Sequence, residues 1–480
     1  MNAVIGRKEE KKLLLDALES SEPELIAVYG RRRVGKTFLV RQVFEKQLLF
    51  EFSGTSDGNM NDHLQHFTSA LQLAMQSPAP LAKPANWSEV LQILVSFVEA
   101  QPKKKKTVLF FDEFPWICTQ KSGFLSAFEY FWNSWASKQG HIKVVICGSA
   151  AAWMIQHIIN NKGGLHNRIT RRLRLMPFTL HQTELYLRSR NLRFDRFQLL
   201  QLYMVMGGIP KYLKEIGKAE SAAQVIDRVC FSKDGFLRDE FNQLFKSLFG
   251  DDSRHLAVIK SLAAAGSGLT RNEMVHKTKL SSGGTTTEIM DELHQSRFIT
   301  QWHPYSHLNR DSIYKLSDEY SYFYLKFIAG NRATSPGSWN RLSENPSWKS
   351  WSGIAFERIC LKRIEQLNRV LNINGYDEIS AWRYHPEGAT GTQIDLVIDR
   401  KDFVINLCEM KYSAKLFTID KSYAANLQNK INVFRDQTDT KKQLHLVLVA
   451  SFGVVRNEYE RKLVEKSITM DVLFESNNGK

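Results

Sequence analysis

The sequence predicts a multidomain α/β protein: a P-loop domain on a parallel sheet with a helical lid, then a winged helix, then a smaller C-terminal α/β domain. Three observations lead there. "GRRRVGKT" at residues 30–37 stands between an apolar strand-like run, "LIAVY", and a helix-compatible one, "TFLVRQVFEK". The short apolar runs "ELIAVYG", "QLLFEFSG", "TVLFFDE" and "KVVICGS" alternate with helical stretches, the spacing of a parallel sheet covered by helices. Far downstream, "TQIDLVIDRKDFVINLCEMKYS" at 392–413 reads as a hairpin whose arms carry Asp395, Glu409 and Lys411, charges that packing alone does not call for.

Size and composition set the frame. A chain of 480 residues exceeds one compact core, so about two to four domains are expected. No run approaches the ~18 apolar residues of a membrane span, and "MNAVIGRKEEKK" lacks the apolar centre of a secretory signal. The five cysteines (Cys118, Cys147, Cys230, Cys360, Cys408) are scattered with no CxxC pair. That argues against a disulfide framework or zinc site and for a reducing, cytoplasmic setting without a membrane partner. A net charge of +15 favours nucleic acid, DNA or RNA, as partner through counterion release. The lysine run at 103–106 precedes the strand "TVLFFDE" and is expected to be a solvated loop away from any site at strand C-terminal ends.

The expected segments are 1–178, a P-loop domain; 179–250, a helical lid; 251–330, a winged helix; 331–349, a linker rich in turn formers; and 350–480, the second α/β domain. Within 251–330, "HLAVIKSLAAAG", "TRNEMVHKTKL" and "GTTTEIMDELHQSRFI" supply three helices, and "ITQWHPY…SIYKLS" the wing. The third helix carries three acids and only Arg297 as a fixed cation. Interdomain packing or modest backbone contact suits it better than base reading.

Residues Gly30, Arg31, Arg32, Arg33, Val34, Gly35, Lys36, Thr37 and Phe38 match GxxxxGK[ST] with both flanks correct. The glycines let backbone N–H groups turn toward phosphate oxygens at a helix N-terminus. Lys36 would reach the β- and γ-phosphates of ATP, and Thr37 would bind Mg²⁺. Asp112 ends an apolar strand where it can hold that ion, and Glu113 can polarise an attacking water. Ser149 either senses the γ-phosphate or caps the helix that follows. Among Arg168, Arg171, Arg172 and Arg174, Arg168 is the leading candidate for a γ-phosphate contact, within the chain or from a neighbouring copy in a homo-oligomer.

The phosphate loop, "FFDEF", "CGS", "NRITRRLRLMPFTLHQTEL" and "GGIPKYL", in that order, resemble the archaeal-type ATPase family, a branch of the AAA+/STAND P-loop ATPases. Its members commonly carry a winged helix and a C-terminal nuclease-like domain of the family DUF234, so the resemblance spans nearly the whole chain. It implies that Gly208 and Pro210 belong to a turn linking nucleotide state to the helices beyond; a purely structural turn remains the other account.

In the hairpin, Glu409 and Lys411 share a face with Phe403, Ile405 and Leu407. Asp395, Glu409 and Lys411 read D–x13–E–x–K and resemble the PD-(D/E)XK nuclease signature, with Ile394 in place of its proline. The expected domain is therefore restriction-endonuclease-like. Asp395, Glu409 and the Met410 carbonyl would hold Mg²⁺ beside a scissile phosphate, and Lys411 would orient or deprotonate water. Glu357, at the edge of the amphipathic helix "SGIAFERICLKRIEQL", would be a further ligand, with Gln393 and Gln428 at the rim. A surface ion pair worth at most about 1 kcal/mol is the competing account. Register separates the two: a two-residue turn at 401 and 402 sets Asp395 opposite Cys408, whereas a three- or five-residue loop, or one bulge, sets it opposite Glu409. The second arrangement is expected. The function that follows is an ATP-hydrolysing enzyme governing a Mg²⁺-dependent nuclease. The alternative is a nucleotide-gated signalling or scaffold ATPase whose nuclease-like domain only binds.

Overall fold

The computed structural model describes residues 4–119, 121–160, 163–249, 253–305, 312–331, 337–384 and 391–476. Its first sheet has five parallel strands in the order β2-β3-β4-β1-β5. They are β1 (Glu24–Tyr29), β2 (Leu48–Ser53), β3 (Thr107–Asp112), β4 (Ile142–Gly148) and β5 (Arg171–Arg174). Every residue of β3 and β4 is buried, as strands covered by helices on both faces must be. Their side chains alternate: Ile26, Val28, Phe110, Val145 and Cys147 enter one core, while Leu25, Ala27, Phe111, Val144 and Ile146 enter the other. Parallel pairing places Tyr29 beside Gly148 and Phe111 beside Ile146, so the loops after β1, β3 and β4 leave at one edge.

Helices follow from Leu180–Ser189 to Phe236–Phe249, and then helices Ser253–Ala265, Arg271–Thr278 and Gly284–Gln295. These last three pack with a small antiparallel sheet, β6-β8-β7, made of β6 (Leu269–Thr270), β7 (Ile299–Trp302) and β8 (Ile313–Leu316). The tip of the expected wing, 306–311, lies outside the described residues.

The stretch expected to be a linker is more ordered than its composition suggests. Residues 332–336 lie outside the described residues, but Ser338–Ser343 is helical and the helix Pro346–Leu361 starts before 350. Tryptophans explain this: Trp339 packs on Phe323 at 5.3 Å and on Trp348 at 4.8 Å, and Trp348 stacks on Trp351 at 5.1 Å. Three large rings bury enough apolar surface to order a segment that has few aliphatics.

The second five-stranded sheet runs β13-β12-β11-β10-β9. Strands β9 (Tyr376–Tyr384), β10 (Thr392–Arg400) and β11 (Val404–Lys411) are antiparallel; β12 (Gln443–Ala450) and β13 (Lys466–Thr469) continue in parallel. Ile405 and Leu407 pack with Leu427 and Phe434 of the helix Lys421–Thr438. Cys408 and Met410 belong to the core shared with Phe356 and Ile359 of Pro346–Leu361. Among the described residues no helix is long and apolar enough to cross a membrane.

Gly208 packs against the backbone of Phe178, whose N–H donates to the Gly208 carbonyl at 2.7 Å. A Cβ there would stand 1.8 Å from the Phe178 carbonyl oxygen, whereas one at Gly353, inside a helix, would meet nothing within 4 Å. Gly208→Ala is therefore expected to destabilise by about 1–3 kcal/mol or more. Gly353→Ala should be neutral or stabilising by up to about 1 kcal/mol, and urea denaturation of the two variants side by side checks the contrast.

Candidate functional site

The loop after β1 is shaped by two glycines with positive φ, Gly30 at 142° and Gly35 at 92°. Gly35 opens the helix Lys36–Val43 with no side-chain cap, which leaves the first N–H groups of that helix for an anion. The Lys36 ammonium is buried and donates to the carbonyls of Gly30 and Arg31 and to Ser149 Oγ, each at 3.0 Å. Ser149 Oγ in turn donates to Glu113 Oε1 at 2.7 Å, and the Ser149 N–H to Glu113 Oε2 at 3.2 Å. Thr37 Oγ1 donates to Asp112 Oδ2 at 2.7 Å. Lys36, Thr37, Asp112, Glu113 and Ser149 thus form one cluster at the C-terminal edge of the sheet. Of the two roles open to Ser149, capping is not used: the next helix, Ala151–Met154, has Ala150 at its N-cap and no side-chain cap. Two adjoining oxygens, Thr37 Oγ1 and Asp112 Oδ2, suit neighbouring positions around Mg²⁺.

The loop arginines are engaged elsewhere. Arg31 is buried, pairs with Asp318 and lies 4.8 Å from the Phe298 ring centroid. Burial opposes the Asp318 charge, yet Arg31 holds its carboxyl below the usual range. Arg33 meets Glu240 Oε2 at 2.6 Å, and Arg32 lies over Trp116 at 5.7 Å. Burial raises the Glu240 carboxyl against the pull of its Tyr212 hydrogen bond and Arg33. The guanidiniums of Arg31 and Arg33 are consequently committed to acids, and what those residues offer a phosphate is backbone. Val34 is buried and Phe38 is 45% exposed.

Arg168 makes no contact with the phosphate loop of its own chain, which corrects the within-chain half of the expectation and leaves the contact with a neighbouring copy as a proposal. β5 runs parallel to β1 with Ile26 beside Arg171, so Arg168 precedes the strand at the edge opposite the phosphate loop, where it is exposed. Arg171 pairs with Glu24 at 3.5 Å at that same far end. Arg174, level with Tyr29, donates to the Gln295 carbonyl.

In the second sheet, Leu396 pairs with Cys408 and Val397 with Leu407, a register that, continued one residue past its last pair, sets Asp395 opposite Glu409. The turn spans residues 401–403, with Phe403 in the left-handed region at φ 63°. A three-residue loop is one of the arrangements that the sequence reading offered for Asp395 to face Glu409. Asp395 Oδ2 accepts from the Met410 N–H at 2.9 Å. Burial, then the facing Glu409 charge and the Glu357 charge, push the Asp395 carboxyl up to about 8. Glu409, almost fully buried, meets Lys430 Nζ at 2.7 Å and Lys411 Nζ at 3.7 Å.

Asp395 and Glu409 are two facing hard-oxygen donors, which fits a divalent cation that keeps most of its water. The larger expected ligand set is not assembled: among the described residues no three His, Cys, Asp or Glu side chains stand together as a metal group. Glu357 belongs to the helix on the other face of the sheet and is paired with the buried Lys315 of β8 at 2.7 Å. Gln428 is exposed and bonds Asn432, and Gln393 is half-buried on β10. Lys430 went unread in the sequence, although Tyr423, Leu427 and Lys430 recur at the i, i+4, i+7 spacing of one helix face. Asp318, Glu240 and Lys315 carried no local signal.

Residues 5–216 match the family model for an ATPase domain predominantly from Archaea. The chain thus carries an archaeal-type P-loop ATPase domain, and that match ends ahead of both later sheets. An uncharacterized protein of Methanocaldococcus jannaschii is 23% identical over 398 residues, 82% of this chain and 83% of that one. Among solved structures, a Walker-type ATPase of Pyrococcus abyssi aligns with TM-score 0.48 at 17% identity, over 67% of this chain and 96% of its own. The ORC2 protein of Aeropyrum pernix aligns with TM-score 0.43 at 13% identity, over 68% and 94%.

Removing one partner of a buried ion pair strands the other, at a cost of about 3–5 kcal/mol. Asp318→Ala should lower the urea midpoint accordingly. The double variant Arg31→Met/Asp318→Ala should recover most of the loss, a coupling readable from the four-member cycle.

Proposed function

We propose that this protein is a Mg²⁺-dependent ATP hydrolase whose nucleotide state controls a C-terminal, metal-dependent nuclease-like domain acting on DNA or RNA. The observation that carries the first half is the joined set Lys36–Ser149–Glu113 and Thr37–Asp112 at one sheet edge. In this reading the N–H groups of residues 30–37 cradle the phosphates, and Lys36 neutralises the β- and γ-oxygens. Thr37 and Asp112 would hold Mg²⁺, which when bound offsets charge on those phosphates. Glu113 leaves Ser149 to orient the attacking water and draw off its proton, and the freed Ser149 hydroxyl turns to the γ-phosphate.

The second half is supported by Asp395 facing Glu409 with Lys411 two residues along the strand. Asp395 and Glu409 would be the oxygen donors for Mg²⁺. Lys411 would orient the water that attacks the scissile phosphate and offset the charge that develops there. We read 251–330 as a winged helix and 350–480 as a restriction-endonuclease-like fold, and the +15 charge supports a polyanionic partner.

A second reading has an observation of its own. Both Glu409 oxygens already meet an ammonium, as they would in a module that grips phosphate without cutting it. Such a protein would be a nucleotide-gated scaffold. Plasmid DNA and RNA incubated with Mg²⁺ or Mn²⁺, with and without ATP, separate the two. Cleavage by wild type that falls about 100-fold or more in Lys411→Ala, with ATPase activity retained, supports the nuclease. Intact substrate throughout supports the scaffold. Lys36→Ala should abolish ATP binding, as seen by calorimetry, under either reading.

A further inference from the structure

Glu409 is the most deeply buried carboxylate of the C-terminal site, its side chain only 2% exposed, and each of its oxygens faces a different lysine. Lys411 approaches Oε2 at 3.7 Å from the same strand and lies 5.0 Å from the Tyr423 ring centroid. Lys430 approaches Oε1 more closely, at 2.7 Å, from the helix Lys421–Thr438. Asp395, by contrast, accepts a hydrogen bond from a backbone N–H, that of Met410. Two cations therefore crowd one carboxylate, and the closer one belongs to no part of the D–x13–E–x–K pattern.

We propose that Lys430 is a tethered counter-cation that fills the Glu409 side of the site and must withdraw before Glu409 and Asp395 could hold a divalent cation. This rests on the metal-site reading given above. A dication and an ammonium 2.7 Å from the same oxygen cannot share it without strong like-charge repulsion. The lysine has a flexible four-carbon stem and its side chain retains 18% exposure, so it can swing outward along the helix surface. A withdrawn ammonium next to the site is placed to take a nucleic-acid phosphate. Nucleic-acid binding and metal occupancy then favour each other, because a phosphate that holds Lys430 outward vacates Glu409. The device keeps the carboxylate pair closed to free cations until a polyanion arrives.

Manganese titration of the nucleotide-free full chain tests this by calorimetry, with Glu409→Gln identifying the C-terminal site. Lys430→Gln should bind Mn²⁺ about tenfold tighter than wild type at the site that Glu409→Gln removes. Lys430→Arg keeps the cation and should bind as weakly as wild type, and it guards against loss of folding in the neutral variant. Equal affinity in wild type and both Lys430 variants, at a site still lost in Glu409→Gln, overturns the proposal while leaving the metal site standing. If Glu409→Gln removes no Mn²⁺ site in any background, the metal-site reading fails and this inference fails with it.

Discussion

The pairing of Arg31 with Asp318 joins parts of the chain 287 residues apart. Arg31 belongs to the phosphate loop. Asp318 precedes the helix Glu319–Phe323 and accepts the Ser321 N–H at 2.8 Å, so one carboxylate both caps that helix and neutralises the loop. Such a pair contributes little net stability relative to apolar packing, yet it heavily penalises any arrangement that separates its members. It therefore selects one placement of the later units against the first sheet.

Two further contacts extend that constraint. Arg33 holds Glu240 of the helix Phe236–Phe249, and Lys315 of the small sheet holds Glu357 of the helix beneath the second sheet. One continuous apolar core runs through all these segments, from Leu14 to Phe474. The phosphate loop is thus mechanically connected to the C-terminal sheet through packed side chains and buried charge, the kind of contiguous network that can carry coupling between sites. In the proposed mechanism, an incoming triphosphate changes the charge balance around Arg31 and Arg33, and both arginines already hold the acids of distant helices.

The carboxyl-terminal site is decided by strand parity. Odd positions of β11 face the helix Lys421–Thr438, so Glu409 joins Ile405 and Leu407 there and meets Lys430. Even positions face the helix that bears Glu357. Glu357 therefore acts on Asp395 only through its field, while its own carboxylate is spent on Lys315. Phe403, left-handed at the turn, sets the loop length that brings Asp395 opposite Glu409.

Much of this was legible beforehand, for a physical reason. A phosphate loop, a strand that ends in Asp112 and a hairpin are contiguous pieces, and their backbone geometry follows from neighbours in sequence: glycine conformational freedom, apolar alternation and turn length. The sequence alone thus determined the parallel sheet, the cluster at its C-terminal edge and the pairing of Asp395 with Glu409. It gave no sign that Arg168 lies far from the phosphate loop of its own chain or that Glu357 pairs with Lys315, it missed Lys430, and it treated the tryptophan-bearing stretch before 350 as a linker. Those outcomes depend on which charges and rings meet across hundreds of residues. Only the tertiary structure decides that, because a buried charge takes the partner that packing brings within reach, and no local pattern records the choice.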